Sequence, residues 1–117
     1  MGIEIAEVQV GRVEAGFDVR PHHLAPNGFL HAGSVVTLAD TACGYGCVRA
    51  LPEGASGFTT AELKANFLST TTSGRVRCTA TLVQGGRTLQ VWDATVTDDS
   101  ERTLAVFRCT QVVLWPR

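Results

Sequence analysis

Hydrophobic and polar positions alternate with a period of two through most of the second half of the chain. In TAELKANFL, residues 60–68, Ala61, Leu63, Ala65 and Phe67 alternate with Thr60, Glu62, Lys64 and Asn66. In RVRCTATLVQ, residues 75–84, Val76, Cys78, Ala80 and Leu82 alternate with Arg75, Arg77, Thr79 and Thr81. This pattern predicts antiparallel strands with one face inward and the other in water. TLQVWDATVT (88–97) and RTLAVFRCTQVVLW (102–115) are rich in β-branched and aromatic residues and predict two more strands. Turn-forming residues separate the four: TTTSG ending at Gly74, QGGR at 84–87 and DDSER at 98–102. Short connections predict a meander.

The first half reads differently. VEAGFDVR predicts an opening strand from Val13 to Val19, followed by an irregular loop, PHHLAPNGFLHAG, at 21–33. From Ser34 to about Leu51 the period becomes helical, with Val35, Leu38, Ala39, Ala42, Cys43 and Gly46 on one face. Ser34 is the expected N-cap, and Pro52 with Gly54 ends the element. Glycine inside a helix costs roughly 1 kcal/mol, so Gly44 and Gly46 predict that the helix lies unusually close to a sheet. One long helix on one antiparallel sheet is an α+β architecture. A sheet that covers one helix leaves edges to be covered, which predicts dimerisation.

At 117 residues, without repeats or linkers, the chain reads as a single domain spanning 1–117. A net charge of −1 and a pI near 6.3 argue against a nucleic-acid or anionic-membrane partner. No apolar run has membrane-spanning length, and the alternating, acid-bearing start does not read as a secretory signal, so a cytoplasmic location is expected. Cys43, Cys47, Cys78 and Cys109 lack the spacing and histidine partners of a usual metal set. They read as buried small hydrophobic residues, and neither metal nor cofactor is expected.

The chemically distinctive residue is Asp40, a carboxylate inside the small, apolar run NGFLHAGSVVTLADTACGYG (27–46). Such a group needs a partner, a solvated cleft or a proton. Asn27, Gly28, His31 and Gly33 precede it, ending at a helix N-terminus whose free N–H groups suit an oxyanion or carbonyl oxygen. A polarising N–H set with a carboxylate fits attack on an acyl carbonyl, the carboxylate serving as base or nucleophile. The alternative is a buried aspartate bonded to Thr37, Thr41 or a partner subunit.

The same run resembles the His-Gly-Gly-x(6)-Asp segment of the hotdog-fold acyl-CoA thioesterases, in their phenylacetic-acid-degradation (PaaI-like) branch. The similarity extends over residues 13–115, through TTAELKANFLSTTTSGRVRCTATLVQGGRTLQVWDATVTDD. It implies a long helix wrapped by a five- or six-stranded antiparallel sheet, paired into a homodimer and then a homotetramer, with active sites between subunits. It implies an acyl-CoA substrate, Asp40 as the catalytic carboxylate and the Ala32 amide as donor to the thioester carbonyl. His31 and Gly33 complete the motif, His31 supporting the loop. Thr60 matches a Ser or Thr near the attacking water, contributed by the neighbouring chain. The chain departs from the motif at Ala32, which replaces a glycine, and upstream. There the usual Asn or Gln falls on Ala25, leaving Asn27 as nearest candidate unless it only forms a turn with Gly28. His23, ahead of His22, and Arg87, as a phosphate partner, are further candidates for substrate binding, with Tyr45 and Phe29 for an acyl pocket. A non-catalytic acyl-CoA-binding module on the same fold is the competing function.

Overall fold

The computed structural model describes all 117 residues. Its elements are β1 (Glu4–Gln9), β2 (Arg12–Asp18), a single 3-10 turn at Pro21–His23, α1 (Ala32–Arg49), β3 (Gly57–Phe67), β4 (Arg75–Gly85), β5 (Leu89–Thr97) and β6 (Thr103–Leu114). The six strands form one sheet in the order β1-β2-β4-β5-β6-β3, with every pairing antiparallel. The expected single helix on one antiparallel sheet is therefore observed, with an additional strand. Residues 4–9 pair back on β2 through the turn at Val10–Gly11, where Gly11 has φ +82°.

The meander holds only for β4, β5 and β6. β3 lies beyond β6, at the far edge, rather than beside β4. The seven residues 68–74 join them. Seven extended residues reach about 23 Å, whereas crossing three strand spacings needs only about 14 Å. A short connection therefore did not require adjacent strands.

The core lies between α1 and the inner face of the sheet. Val35, Leu38, Ala39, Ala42, Cys43 and Gly46 are all buried, as their period predicts. They meet Val13, Phe17, Val76, Cys78, Ala80, Trp92, Ala94, Val96, Phe107 and Cys109. Gly46 shows how close the approach is: a Cβ built there would lie 2.4 Å from Cη2 of Trp92. All four cysteines are free and buried. Three thiols are pushed up in pKa: Cys43 through its hydrogen bond with Cys109 and then burial, Cys47 by burial to about 11, and Cys78 by burial to about 12.

The helix starts two residues before the expected Ser34. His31 is its N-cap, with Nδ1 accepting the Gly33 N–H at 2.7 Å. Ser34 is instead buried, its hydroxyl donating to the His23 carbonyl at 3.0 Å.

Candidate active site

The loop before α1 is built by its own side chains. The His23 ring is fully buried and stacks on Phe17, centroids 4.0 Å apart. Its Nδ1 accepts the Arg20 N–H at 2.8 Å, so the proton sits on Nε2, which donates to the Met1 carbonyl at 2.6 Å. Both nitrogens are engaged with backbone, which makes His23 a loop anchor in this chain and not a ligand contact. Asn27 Oδ1 accepts the Phe29 N–H at 3.1 Å, beside Gly28 at φ +87°. Asn27 thus makes the turn that its sequence context offered as the alternative to a role in chemistry.

At the helix start, the His31 ring explains the glycine that follows. A Cβ at Gly33 would stand 2.9 Å from His31 Nδ1 and push the cap away. Ala32 needs no such freedom: it takes the first helical position, and Glu101 is the one non-glycine residue with positive φ. Replacing the motif's first glycine by alanine therefore carries no backbone strain. The Ala32 N–H is among the first-turn donors that the helix itself leaves unpartnered.

Asp40 lies eight residues further along α1, about 12 Å away along the axis at 1.5 Å per residue. It is half-buried and makes no ion pair within the chain. Its hydrogen-bond partner is neither Thr37, whose hydroxyl donates to the Gly33 carbonyl, nor Thr41. It is the Thr60 hydroxyl of β3, 3.2 Å from Asp40 Oδ1. Thr60 belongs to the same chain, which corrects the expectation that it comes from a neighbour.

Strict alternation through residues 60–68 places Thr60 on the outer face, with Ala61 inward. A bulge between Thr60 and Glu62 overturns this: Thr60 faces Gln111 and Glu62 faces Thr110, leaving Ala61 unpaired. The extra residue keeps Phe58 and Thr60 on the helix side and still returns Leu63, Ala65 and Phe67 to that side after it. Thr60 then sits 2.7 Å from Oε1 of Gln111, a fully buried β6 glutamine that the apolar context of CTQVVL did not single out.

Asp40 opens on a cavity of about 360 Å³ lined by Thr41, Gly44, Tyr45, Val48 and Phe58. Tyr45 lines it as expected, while Phe29 is exposed on the preceding loop. Arg87 stands outside the cavity, at the β4–β5 turn, its guanidinium 4.4 Å above the Trp115 ring. The structure therefore brings Asp40 and Thr60 together. It sets Ala32, His31 and Gly33 at the helix N-terminus, about two turns away, Asn27 in the loop and His23 in the core.

A carboxylate with one hydroxyl donor at the head of an apolar cavity can act on a carbonyl delivered through that cavity. Comparison with known proteins agrees. The model of the family described as "Thioesterase superfamily" matches residues 27–105. The chain is 34% identical to a 1,4-dihydroxy-2-naphthoyl-CoA hydrolase of Listeria monocytogenes, over 97% of this chain and 91% of that protein. Among solved structures, a thioesterase from Haemophilus influenzae superposes with a TM-score of 0.90 at 32% identity, covering 97% of this chain and 78% of the other. A mutant thioesterase from Pseudomonas aeruginosa does so at 0.91 and 28% identity, covering 97% and 81%. With the fold, the span of the family match and the full-length relatives in agreement, this chain belongs to the thioesterase superfamily and has its hotdog fold.

Proposed function

We propose that the chain hydrolyses an acyl-CoA thioester to free acid and CoA, with Asp40 as its catalytic carboxylate. The observation that carries this is Asp40 itself: an unpaired carboxylate, held by one hydroxyl, at the head of an apolar cavity. As base, Asp40 takes a proton from water while the water oxygen attacks the carbonyl; the C–S bond breaks and the proton passes to the departing CoA thiolate. As nucleophile, its oxygen displaces the CoA thiolate from the acyl carbon to form an anhydride; water then cleaves this to the acid and the restored carboxylate, and the proton released goes to the thiolate. Thr60 orients the carboxylate in either route.

Polarisation of the carbonyl requires a second copy. Ala32 lies about 12 Å from Asp40 along the same helix, too far for one thioester carbonyl to meet Asp40 and accept the Ala32 N–H together. β3 is an edge strand, and Leu63, Phe67 and Leu68 beside its open side are 41%, 48% and 62% exposed. Antiparallel pairing of two copies along β3 sets their helices antiparallel and brings the Ala32 end of one towards Asp40 of the other. This supports a homodimer, with a homotetramer as its further assembly. His31 and Gly33 then hold that donor in place.

Tyr45 and Phe58 flanking the cavity suit an aryl acyl group, the class given by the name of the Listeria relative. The Asp40 motif favours the PaaI-like branch. No helix is long and apolar enough to cross a membrane, and we take the cytoplasm as the site of action. The test is a panel of aryl- and alkyl-CoA esters with free thiol as the readout. Asp40→Ala should lose about 10²- to 10⁴-fold in kcat with an unchanged circular dichroism spectrum. An Asp40→Ala protein with full turnover refutes the reading.

A further inference from the structure

Thr60 carries one proton and stands between two oxygens, Asp40 Oδ1 at 3.2 Å and Gln111 Oε1 at 2.7 Å. If that proton goes to Gln111, Thr60 and Asp40 face each other with lone pairs only. The other end of the amide, Nε2, then donates merely to the Cys109 sulfur at 3.5 Å. Oxygen and nitrogen of a glutamine amide are interchangeable in shape, and the hydrogen-bond network decides between them. Turning the amide over gives Thr60, Asp40 and the Gln111 oxygen a partner each. Gln111 Nε2 donates to Thr60 Oγ1, Thr60 donates to Asp40, and Oε1 comes to lie about 3.5 Å from the Cys109 sulfur, whose thiol can donate to it.

We infer that Gln111 is a positioning residue for the reaction: its amide N–H fixes the Thr60 hydroxyl so that it donates to Asp40. Three observations support this. Gln111 has no solvent exposure and lies among apolar neighbours, where an unpartnered amide is costly. Its register partner across the sheet is Thr60. The β3 bulge that turns Thr60 inward sits at that same pair, and bulges next to active sites re-aim side chains. A chain of hydrogen bonds running inward from the carboxylate, through Thr60 and Gln111 to Cys109, anchors the reactive group to the core instead of to water. The inference rests on Asp40 being the catalytic group.

The test is a double-mutant cycle in the full-length chain on an aryl-CoA ester. Gln111→Met, close in volume and unable to donate, and Thr60→Val should each lower kcat roughly tenfold or more with KM held within about twofold. The double variant should be no slower than the slower single, because both act through one hydroxyl. Thr60→Ser, which keeps that hydroxyl, should restore most of the rate. Losses that multiply, or wild-type kcat in Gln111→Met, overturn the proposal. Should Gln111→Met fail to fold, Gln111→Asn withdraws the amide by one methylene and carries the same expectations.

A second readout needs no turnover: neutron diffraction of the wild-type protein, which locates the Thr60 proton and tells the amide nitrogen of Gln111 from its oxygen. A Thr60 proton directed at Asp40, with Gln111 Nε2 against Thr60 Oγ1, is the expected result; a Thr60 proton directed at Gln111 overturns the proposal. A wild-type protein that hydrolyses no CoA ester refutes the thioesterase reading, whereas an active wild type matched in kcat by Gln111→Met refutes this inference alone.

Discussion

Gly46→Ala and Gly44→Ala are chemically the same change two residues apart, and the structure assigns them opposite consequences. Each gains about 1 kcal/mol of helix propensity. At Gly46 the new methyl would stand 2.4, 2.7 and 2.9 Å from three Trp92 ring carbons, against about 3.5–4.0 Å for carbon atoms in contact. The ring cannot simply yield. It is fully buried, its Nε1 donates to Gln90 Oε1 at 2.8 Å, and Gln90 Nε2 donates to the Ala50 carbonyl at the helix end. Overpacking of this kind costs about 1–3 kcal/mol, and a strained buried hydrogen bond adds about 1 kcal/mol. The net loss is about 1–3 kcal/mol, which for a domain of this size lowers Tm by roughly 4–12 °C. At Gly44 the nearest atom is Cζ of Phe58 at 3.2 Å, the tip of a ring that borders the open cavity. That ring has room to shift by tenths of an ångström, so Tm should hold or rise slightly. The added methyl narrows the cavity, so kcat/KM should fall more for bulky than for small acyl groups. Thermal melts and the CoA-ester panel measure both. A Gly46→Ala protein as stable as the wild type refutes the close helix–sheet contact; an unchanged acyl preference in Gly44→Ala refutes the cavity as the acyl site.

Three further outcomes follow from the same geometry. Ala32→Pro removes one N–H at the first helical position, where proline is tolerated, after a His31 already extended at φ −70° and ψ 134°. It should keep the fold and lose about 10²-fold or more in kcat if that N–H polarises the carbonyl; an active Ala32→Pro enzyme removes Ala32 from the mechanism. Single turnover in ¹⁸O-water separates base from nucleophile: direct attack labels the acid product at once, whereas an anhydride cleaved at its aspartyl carbonyl leaves label in Asp40. Asp93 is held below the ordinary carboxylate range by the Arg108 guanidinium, bonded at 2.5 and 2.8 Å. A depressed folded-state pKa gives stability that is present above the unfolded value, near 3.9, and is lost as pH falls through the folded value. The pair is solvent-exposed, so Asp93→Asn should cost at most about 1 kcal/mol near neutral pH. The difference from wild type should fade with acidification, and a constant difference down to the acid limit contradicts the pairing.

Local signals carried much of the structure. The helical face from Val35 to Gly46 is buried residue for residue, because a 3.6-residue period leaves one solution when the opposite face is wet. The two glycines announced a close packing that Trp92 and Phe58 supply. What escaped was decided elsewhere. The N-cap passed from Ser34 to His31 because the buried His23 carbonyl took the serine hydroxyl, a contact across eleven residues that no capping rule sees. His23 looked like a candidate ligand because a loop histidine is chemically versatile, yet burial against Phe17 and two backbone partners commit it to structure.

The β3 edge shows why the site was only half legible. Asp40 stood out through its own context, a charge among small residues. Thr60 was named through the family resemblance alone and Gln111 not at all, because a period-two reading assigns neither of them any chemistry. One inserted residue, Ala61, changes their meaning: it breaks the alternation, carries Thr60 to the helix face and sets it opposite Gln111. A bulge cannot be seen in the hydrophobic pattern when the residues on both sides, Thr60 and Glu62, are polar. It becomes visible only once pairing with β6 fixes the register. The same strand leaves Leu63 and Phe67 on the inner face yet in solvent, because α1 does not extend over them. A face that is inward by register but uncovered within the chain is the form expected of a strand whose remaining partner is a second copy. The mechanism proposed above calls for that copy independently, through the roughly 12 Å that separate Ala32 from Asp40 on one helix, at about 1.5 Å per residue.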